Sequence, residues 1–254
     1  MSCVVGISDD KALVCSERGD ICLLEETGMK FSKVVDAGFR VHCIAVDPER
    51  KFAWVAGSNG SHRYVCALHV FHVGGVCSLT NSSALVLKDI VPPTPPASPS
   101  SSRSSSPILP AGCRQANVLA MASMFGHLFT LDSNHSLKII NMSTVNGVPT
   151  PSTVIRELPA HKNACLGVRT LPVPLESGAT FFTWSADGVV LFWTLDGLCK
   201  EEFEVELEQP GEGEDDMPNE LKVVRVSKYG DYFVTGDKYG VLRYVERGML
   251  DGLR

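Results

Sequence analysis

The chain has no long apolar run: none approaches the roughly 18 residues that a membrane-crossing helix needs. Its nine cysteines include no C-x-x-C pair and follow no regular spacing, which removes the usual signals for a zinc site or a thioredoxin-type redox pair. Most of them sit inside apolar runs, where a free thiol acts as a small hydrophobe, and the odd count suits a reducing compartment. Positive charge is also short, with 23 Lys and Arg against 29 Asp and Glu, a net charge of −6. No basic run interleaved with aromatics occurs, so the pattern of a nucleic-acid binder is missing. The opening residues, MSCVVGISDDKALVC, lack the basic start and long apolar centre of a secretory leader. The expectation is a soluble, cytoplasmic protein with no membrane segment, no cofactor and no bound metal.

The charge is unevenly placed. Residues 200–222 carry ten acidic and two basic side chains, a local balance of −8 that leaves the remainder at about +2. Within this tract, 209–220 (QPGEGEDDMPNE) reads as a disordered loop. Residues 92–112, PPTPPASPSSSRSSSPILPAG, read as another, because a Pro- and Ser-rich segment with few large apolar side chains cannot offset its ordering entropy by burial. Three proline-directed candidate phosphosites lie in it, Thr94, Ser98 and Ser106, each followed by proline. A shorter loop is expected at 144–153.

Elsewhere the chain is a succession of short β-prone runs. They are four to eight residues long, rich in Val, Ile, Leu and Phe, and bounded by Gly, Asp, Asn and Ser, with no helical period. The clearest stretch is 181–197, FFTWSADGVVLFWTLDG. Its Asp187-Gly188 turn between two apolar runs is a strong hairpin signal, because glycine takes a positive φ freely. Comparable turns lie near residues 19, 60, 135, 188 and 239. With the two inserts discounted, the period is close to the roughly 40–45 residues of a four-stranded propeller blade. The predicted fold is therefore all-β: a propeller region over 1–254 of about five antiparallel blades. A fifth unit without its outer strand leads to the expectation of a partial ring, a fragment of a longer scaffold.

The fourth unit resembles a WD repeat residue by residue. His161 stands at the place of that family's Gly-His histidine, Thr183 at its strand-b hydroxyl, Asp187 at its turn aspartate and Trp193 at its strand-c tryptophan. The resemblance implies a buried chain of hydrogen bonds from Asp to His, His to Thr and Thr to the indole N–H, with a structural role. The other units are eroded: Thr130 is followed by Asn134 and Ile140, Thr235 by Tyr239 and Val245, and Ala56 by Gly60 and Cys66. The last third resembles more narrowly the second propeller of large mitogen-activated-protein-kinase-binding WD-repeat scaffolds. Ser177-Gly178, Asp187, Phe192-Trp193, Gly236-Asp237 and Gly240-Val241-Leu242-Arg243 carry this likeness, over about 80 of the 254 residues. It implies partners among c-Jun N-terminal kinase components or at the mitotic spindle pole, and so a cytoskeletal or nuclear location beside the cytoplasm.

No catalytic constellation emerges. His161, Asp187 and Thr183 have the residue types of a triad, but the repeat assigns them to holding a blade together. His69 and His72, three apart on a predicted strand, point to opposite faces and share no metal. The Arg18-Gly19-Asp20 tripeptide is turn chemistry. Three readings follow: a non-enzymatic interaction scaffold, first; a propeller hydrolase or lactonase, which needs acids or histidines converging at the centre; and a phosphopeptide reader, which needs an arginine cluster. Arg40, Arg114, Arg169 and Arg225 each stand near the first strand of a unit and are the candidates for that cluster.

Overall fold

The computed structural model describes residues 3–25, 30–47, 52–59, 62–73, 76–80, 117–124, 126–145, 148–209 and 217–246. Every regular element among them is a β-strand, and the strands pair in chain order into five antiparallel sheets. The first holds β1 (Cys3–Gly6), β2 (Lys11–Cys15), β3 (Asp20–Glu25) and β4 (Lys30–Asp36). The second holds β5 (Arg40–Val46), β6 (Phe52–Asn59), β7 (His62–Val73) and β8 (Val76–Thr80). The third holds β9 (Val118–Met124), β10 (His127–Asp132), β11 (Ser136–Val145) and β12 (Val148–Pro159). The fourth holds β13 (Cys165–Thr170), β14 (Phe181–Ser185), β15 (Val189–Trp193) and β16 (Cys199–Glu204). The fifth holds β17 (Leu221–Val226), β18 (Tyr232–Asp237) and β19 (Leu242–Glu246). Each sheet packs against the next, and all five contribute from their first strand to one central cavity. That is the radial arrangement of a β-propeller, with strand a of each blade innermost.

Stacking blades bury both faces of a sheet, which is why the strands read as continuous apolar runs. On β14 the alternation divides the core. Phe181 packs toward the third sheet with Phe129, Leu131 and Ile139, while Phe182 and Trp184 pack toward the fifth with Val224 and Phe233. Ile7, Leu13, Ile21 and Leu23 meet Val41 and Val55 between the first two sheets, and Trp54 meets Leu128 and Ile140 between the second and third. Full burial of one such aromatic contributes about 2–3 kcal/mol, so the interfaces between blades hold most of the stability.

One turn recurs between the second and third strands. Ser16, Asp132, Ser185 and Asp237 each begin it, and the residue three positions on has positive φ: Gly19 (98°), His135 (62°), Gly188 (96°) and Gly240 (82°). In each case the N–H of that residue donates to the carbonyl of the first, at 3.0–3.2 Å. In three of the four turns the first residue's side chain also accepts two backbone N–H groups, two and four residues on: Ser16 from Arg18 and Asp20, Asp132 from Asn134 and Ser136, Asp237 from Tyr239 and Val241. Side-chain oxygens that cap their own turn in this way fix where a hairpin reverses.

The expected loop at 144–153 is a correction. Those residues are the far end of a long hairpin in which β11 and β12 pair as far as Val145 and Val148. Pro149 and Pro151 are tolerated because β12 is the outermost strand of its sheet, and alternate N–H groups of an edge strand have no partner to lose. Of the expected loop at 209–220, residues 210–216 lie outside the described residues. Gln209 and Met217–Glu220 are placed, and Asn219 is buried among hydrogen bonds to Glu208, Gln209 and Asp237. The expected insert at 92–112, with Thr94, Ser98 and Ser106, lies outside the described residues, as does Arg114.

Candidate interaction site at the central channel

The innermost strands enclose a cavity of about 540 Å³. Its wall is mainly the apolar and small side chains of β1, β5, β9 and β13, with Trp184 behind Gly167. Among the described residues, the charged side chains on this wall are Arg169 from β13 and Arg225 from β17. Neither forms an ion pair among the described residues; Arg225 donates from Nη1 to the Val224 carbonyl at 2.9 Å. Arg169 is open to the channel but ringed by protein, and that burial together with the neighbouring Arg225 pushes its guanidinium down to about 10. It stays a cation at neutral pH. Arg40 is elsewhere, paired at 3.1 Å with Glu17 on the exposed surface. Of the four arginines singled out in the sequence, the fold thus brings two together. His42 of β5 reaches the same wall and shares a 2.7 Å hydrogen bond with Ser58.

In the fourth sheet, His161 Nε2 and Thr183 Oγ1 are 2.8 Å apart, and the Trp193 indole N–H donates to the same oxygen at 2.9 Å. Thr183 is fully buried. With the indole donating to the Thr183 oxygen, the Thr183 hydroxyl can donate in turn to His161 Nε2 when that nitrogen is unprotonated. Asp187 does not complete the chain that the repeat implies. It accepts instead from Ser185 Oγ and from Asn163 Nδ2, the latter at 2.5 Å, and these bonds overcome its partial burial and hold its carboxyl below the usual range. Asn163, two residues past His161 on the loop before β13, intercepts the aspartate. The histidine and aspartate therefore share no proton, and the triad geometry is not formed.

Burial, against the weaker attraction of Asp187, lowers the His161 imidazole to about 4. An unfolded histidine titrates near 6.5, so between pH 6.5 and 4 the unfolded chain binds a proton that the folded chain refuses. Stability should fall as pH drops through that window, by about 2 kcal/mol after allowance for partial exposure, and His161 should be silent above it. Urea midpoints measured from pH 7 to 4 for the wild type and His161→Gln test this. The variant's curve should be flatter by that amount, and parallel curves would assign the acid sensitivity elsewhere.

The fifth sheet holds a buried charge network that the repeat pattern does not indicate. The side chain of Asp237 is fully buried and accepts from Arg243 Nη1 at 2.6 Å and Asn219 Nδ2 at 2.9 Å, besides the two turn N–H groups. Burial pushes this carboxyl up, but the bonds from Arg243, Asn219 and Val241 outweigh it and hold it at about 2. Beside it, Thr235 Oγ1 is buried with no hydrogen-bond partner among the described residues. Val245, at the place of Trp193 in the fourth sheet, supplies no indole N–H to meet it. Aspartate two residues after the strand-b threonine, in Thr130-Leu131-Asp132 and Thr235-Gly236-Asp237, is the sequence signal that could have found these buried acids.

Large apolar side chains gather on the outer side of the fifth sheet: Tyr232, Leu242 (73% exposed) and Tyr244 (59% exposed), with Tyr229 and Tyr239 at its turns. The Tyr232 and Tyr244 rings lie 5.0 Å apart. Among the described residues no group of three or more His, Cys, Asp or Glu is placed to hold a metal ion.

Solved structures with this arrangement include the WD40 β-propeller domain of Doa1, at 15% identity and a TM-score of 0.53. The fold is that of WD40 β-propellers. Kluyvelomyces marxianus Hsv2 is similar at 11% identity and a TM-score of 0.52. Each likeness covers 96% of this chain but only 64% and 62% of the respective solved chains, so this propeller region spans less than two thirds of their length. No family model matches the sequence, and no curated protein matches it.

Proposed function

We propose that this propeller is a non-enzymatic scaffold that binds other proteins. The observation that carries the reading is the outer face of the fifth sheet, where Tyr232, Leu242 and Tyr244 stand exposed beside Tyr229 and Tyr239. Tyrosine concentrates binding energy at protein interfaces, because it offers large area at small entropic cost together with a polar tip. The acidic β16, with Glu201, Glu202 and Glu204 on the neighbouring fourth sheet, adds a site for basic partners. Against an enzyme stands the use of the most reactive side chains: His161 is tied to Thr183, and Asp187 to Asn163 and Ser185.

The likeness of the last third to mitogen-activated-protein-kinase-binding scaffolds supports the narrower reading, in which the partners are c-Jun N-terminal kinase components or spindle-pole proteins. Affinity purification from dividing cells tests both levels. The wild-type chain is expected to retain a specific set of proteins that Tyr232→Ser/Leu242→Ser/Tyr244→Ser loses while still folding. A set without kinase-pathway or spindle components removes the narrower reading, and a set unchanged by the triple variant removes this face.

A further inference from the structure

Two cysteines face each other across the first hairpin. Cys3 opens β1 and Cys15 closes β2, and the strand register pairs them directly. Side chains at directly opposite positions share one face of a sheet, with Cα atoms about 4.5–5.5 Å apart. A disulfide spans Cα separations of about 4.4–6.8 Å, so the register already supplies the spacing that such a bond needs. The two side chains also hydrogen-bond each other, and both stand as thiols. Their surroundings differ. Cys3 is half-buried on the wall of the central cavity, whereas Cys15 is fully buried in the core between the first two sheets. The hydrogen bond with Cys3, and then burial, push the Cys15 thiol well up, so it keeps its proton at neutral pH. The neighbouring thiols are placed otherwise. Cys22 stands opposite Val14 of β2, hence on the other face of the sheet from Cys15. Cys43 of β5 is buried and directs its thiol to the Val118 carbonyl at 3.9 Å.

We propose that Cys3 and Cys15 are a site of reversible oxidation, at which hydrogen peroxide joins β1 to β2 through a disulfide. In the first step the Cys3 sulfur attacks one peroxide oxygen, the O–O bond breaks, and Cys3 becomes a sulfenic acid as one water leaves. In the second the Cys15 sulfur attacks the Cys3 sulfur and the S–O bond breaks, and the hydroxyl leaves as water with the Cys15 proton. Two thiols lose two electrons and two protons, and one peroxide becomes two waters. Exposure assigns the roles: a small oxidant reaches Cys3 from the cavity, while Cys15 is shielded and acts only as the resolving thiol. The raised Cys15 thiol is no obstacle, because its proton passes to the departing hydroxyl rather than to water. A thiol already in contact with the sulfenic acid condenses with it before a second oxidation makes the damage irreversible. The bond ties the innermost strand of the first sheet to its neighbour, and a dithiol reverses it.

The test treats the full, reduced chain with hydrogen peroxide and digests it with trypsin in the absence of reductant. Lys11 lies between the two cysteines, so cleavage there puts Cys3 and Cys15 on separate peptides. Mass spectrometry should find those peptides joined, two hydrogens lighter than the two thiol forms together, and dithiothreitol should part them. The cross-linked protein should run as a monomer on a non-reducing gel. Dimedone, which traps sulfenic acid, should label Cys3 roughly tenfold more in Cys15→Ala than in the wild type, because the resolving thiol is gone. Cys43→Ser should leave the cross-link undiminished. Cys15 is a core residue, so the wild-type digest, which needs no variant, decides by itself if Cys15→Ala does not fold. Cys3 joined to Cys43, Cys3 carried on to the sulfinic acid while Cys15 remains a thiol, or a Cys3–Cys15 link found only between two chains overturns the proposal. Equal dimedone labelling of the wild type and a folded Cys15→Ala overturns it too.

Discussion

Replacing Thr183 by valine should destabilise the protein by about 3–4 kcal/mol, although the two side chains have nearly the same shape. The threonine oxygen is fully buried and meets two partners, the Trp193 indole N–H at 2.9 Å and His161 Nε2 at 2.8 Å. A valine methyl leaves both facing carbon. The indole cannot reach water, because Trp193 is only 6% exposed, and each orphaned buried group costs about 1–3 kcal/mol. Thr183→Ser keeps the oxygen and loses one methyl, so its cost should stay near 1 kcal/mol. Urea unfolding of the two variants separates hydrogen bonding from packing: valine should be clearly the worse. Equal losses would mean that the oxygen is not what holds this blade. In that event the contribution of Thr183 would be a matter of volume alone.

The second large effect is expected at Gly167. It pairs with Trp184 across β13 and β14, and an added Cβ would lie 2.1 Å from the Cη2 and Cζ2 atoms of that indole. Real carbon contacts do not approach so closely, so either the strand or the ring must move. The ring has little room, being 6% exposed and packed 5.9 Å from the Phe182 ring, centroid to centroid. Gly167→Ala should therefore cost about 3 kcal/mol, at the upper end of overpacking effects. Gly167→Ala combined with Trp184→Leu should be less damaging than the sum of the single changes by about 1–2 kcal/mol, since the smaller side chain vacates the clashing volume. Additive losses in a double-mutant cycle would show that the ring is not what the methyl meets.

Much of the architecture was legible because blade repeats leave local signatures. The Asp187-Gly188 turn and its counterparts near Gly19 and Tyr239 announced hairpins, and the short apolar runs on either side of them announced strands. The errors have a common cause. Prolines at 149 and 151 read as a loop because sequence alone does not say that β12 is an edge strand, where a missing N–H costs nothing. Residues 217–220 read as part of a disordered tract because Asn219 and Asp237, eighteen positions apart, become partners only in the folded blade. Asp187 was assigned to His161 by analogy with the repeat, and Asn163 takes its carboxylate by standing nearer.

The sequence by itself determined the all-β class, the five units and the hairpin reversals, since these depend on residues a few positions apart. Short apolar runs and positive-φ turn residues are local properties and survive in one dimension. Only the tertiary structure decided which polar groups meet. Arg169 and Arg225 are 56 positions apart and adjacent on one channel wall, while Arg40 faces outward to Glu17. Convergence of side chains from different blades depends on the angle at which sheets stack, and no local pattern encodes that angle.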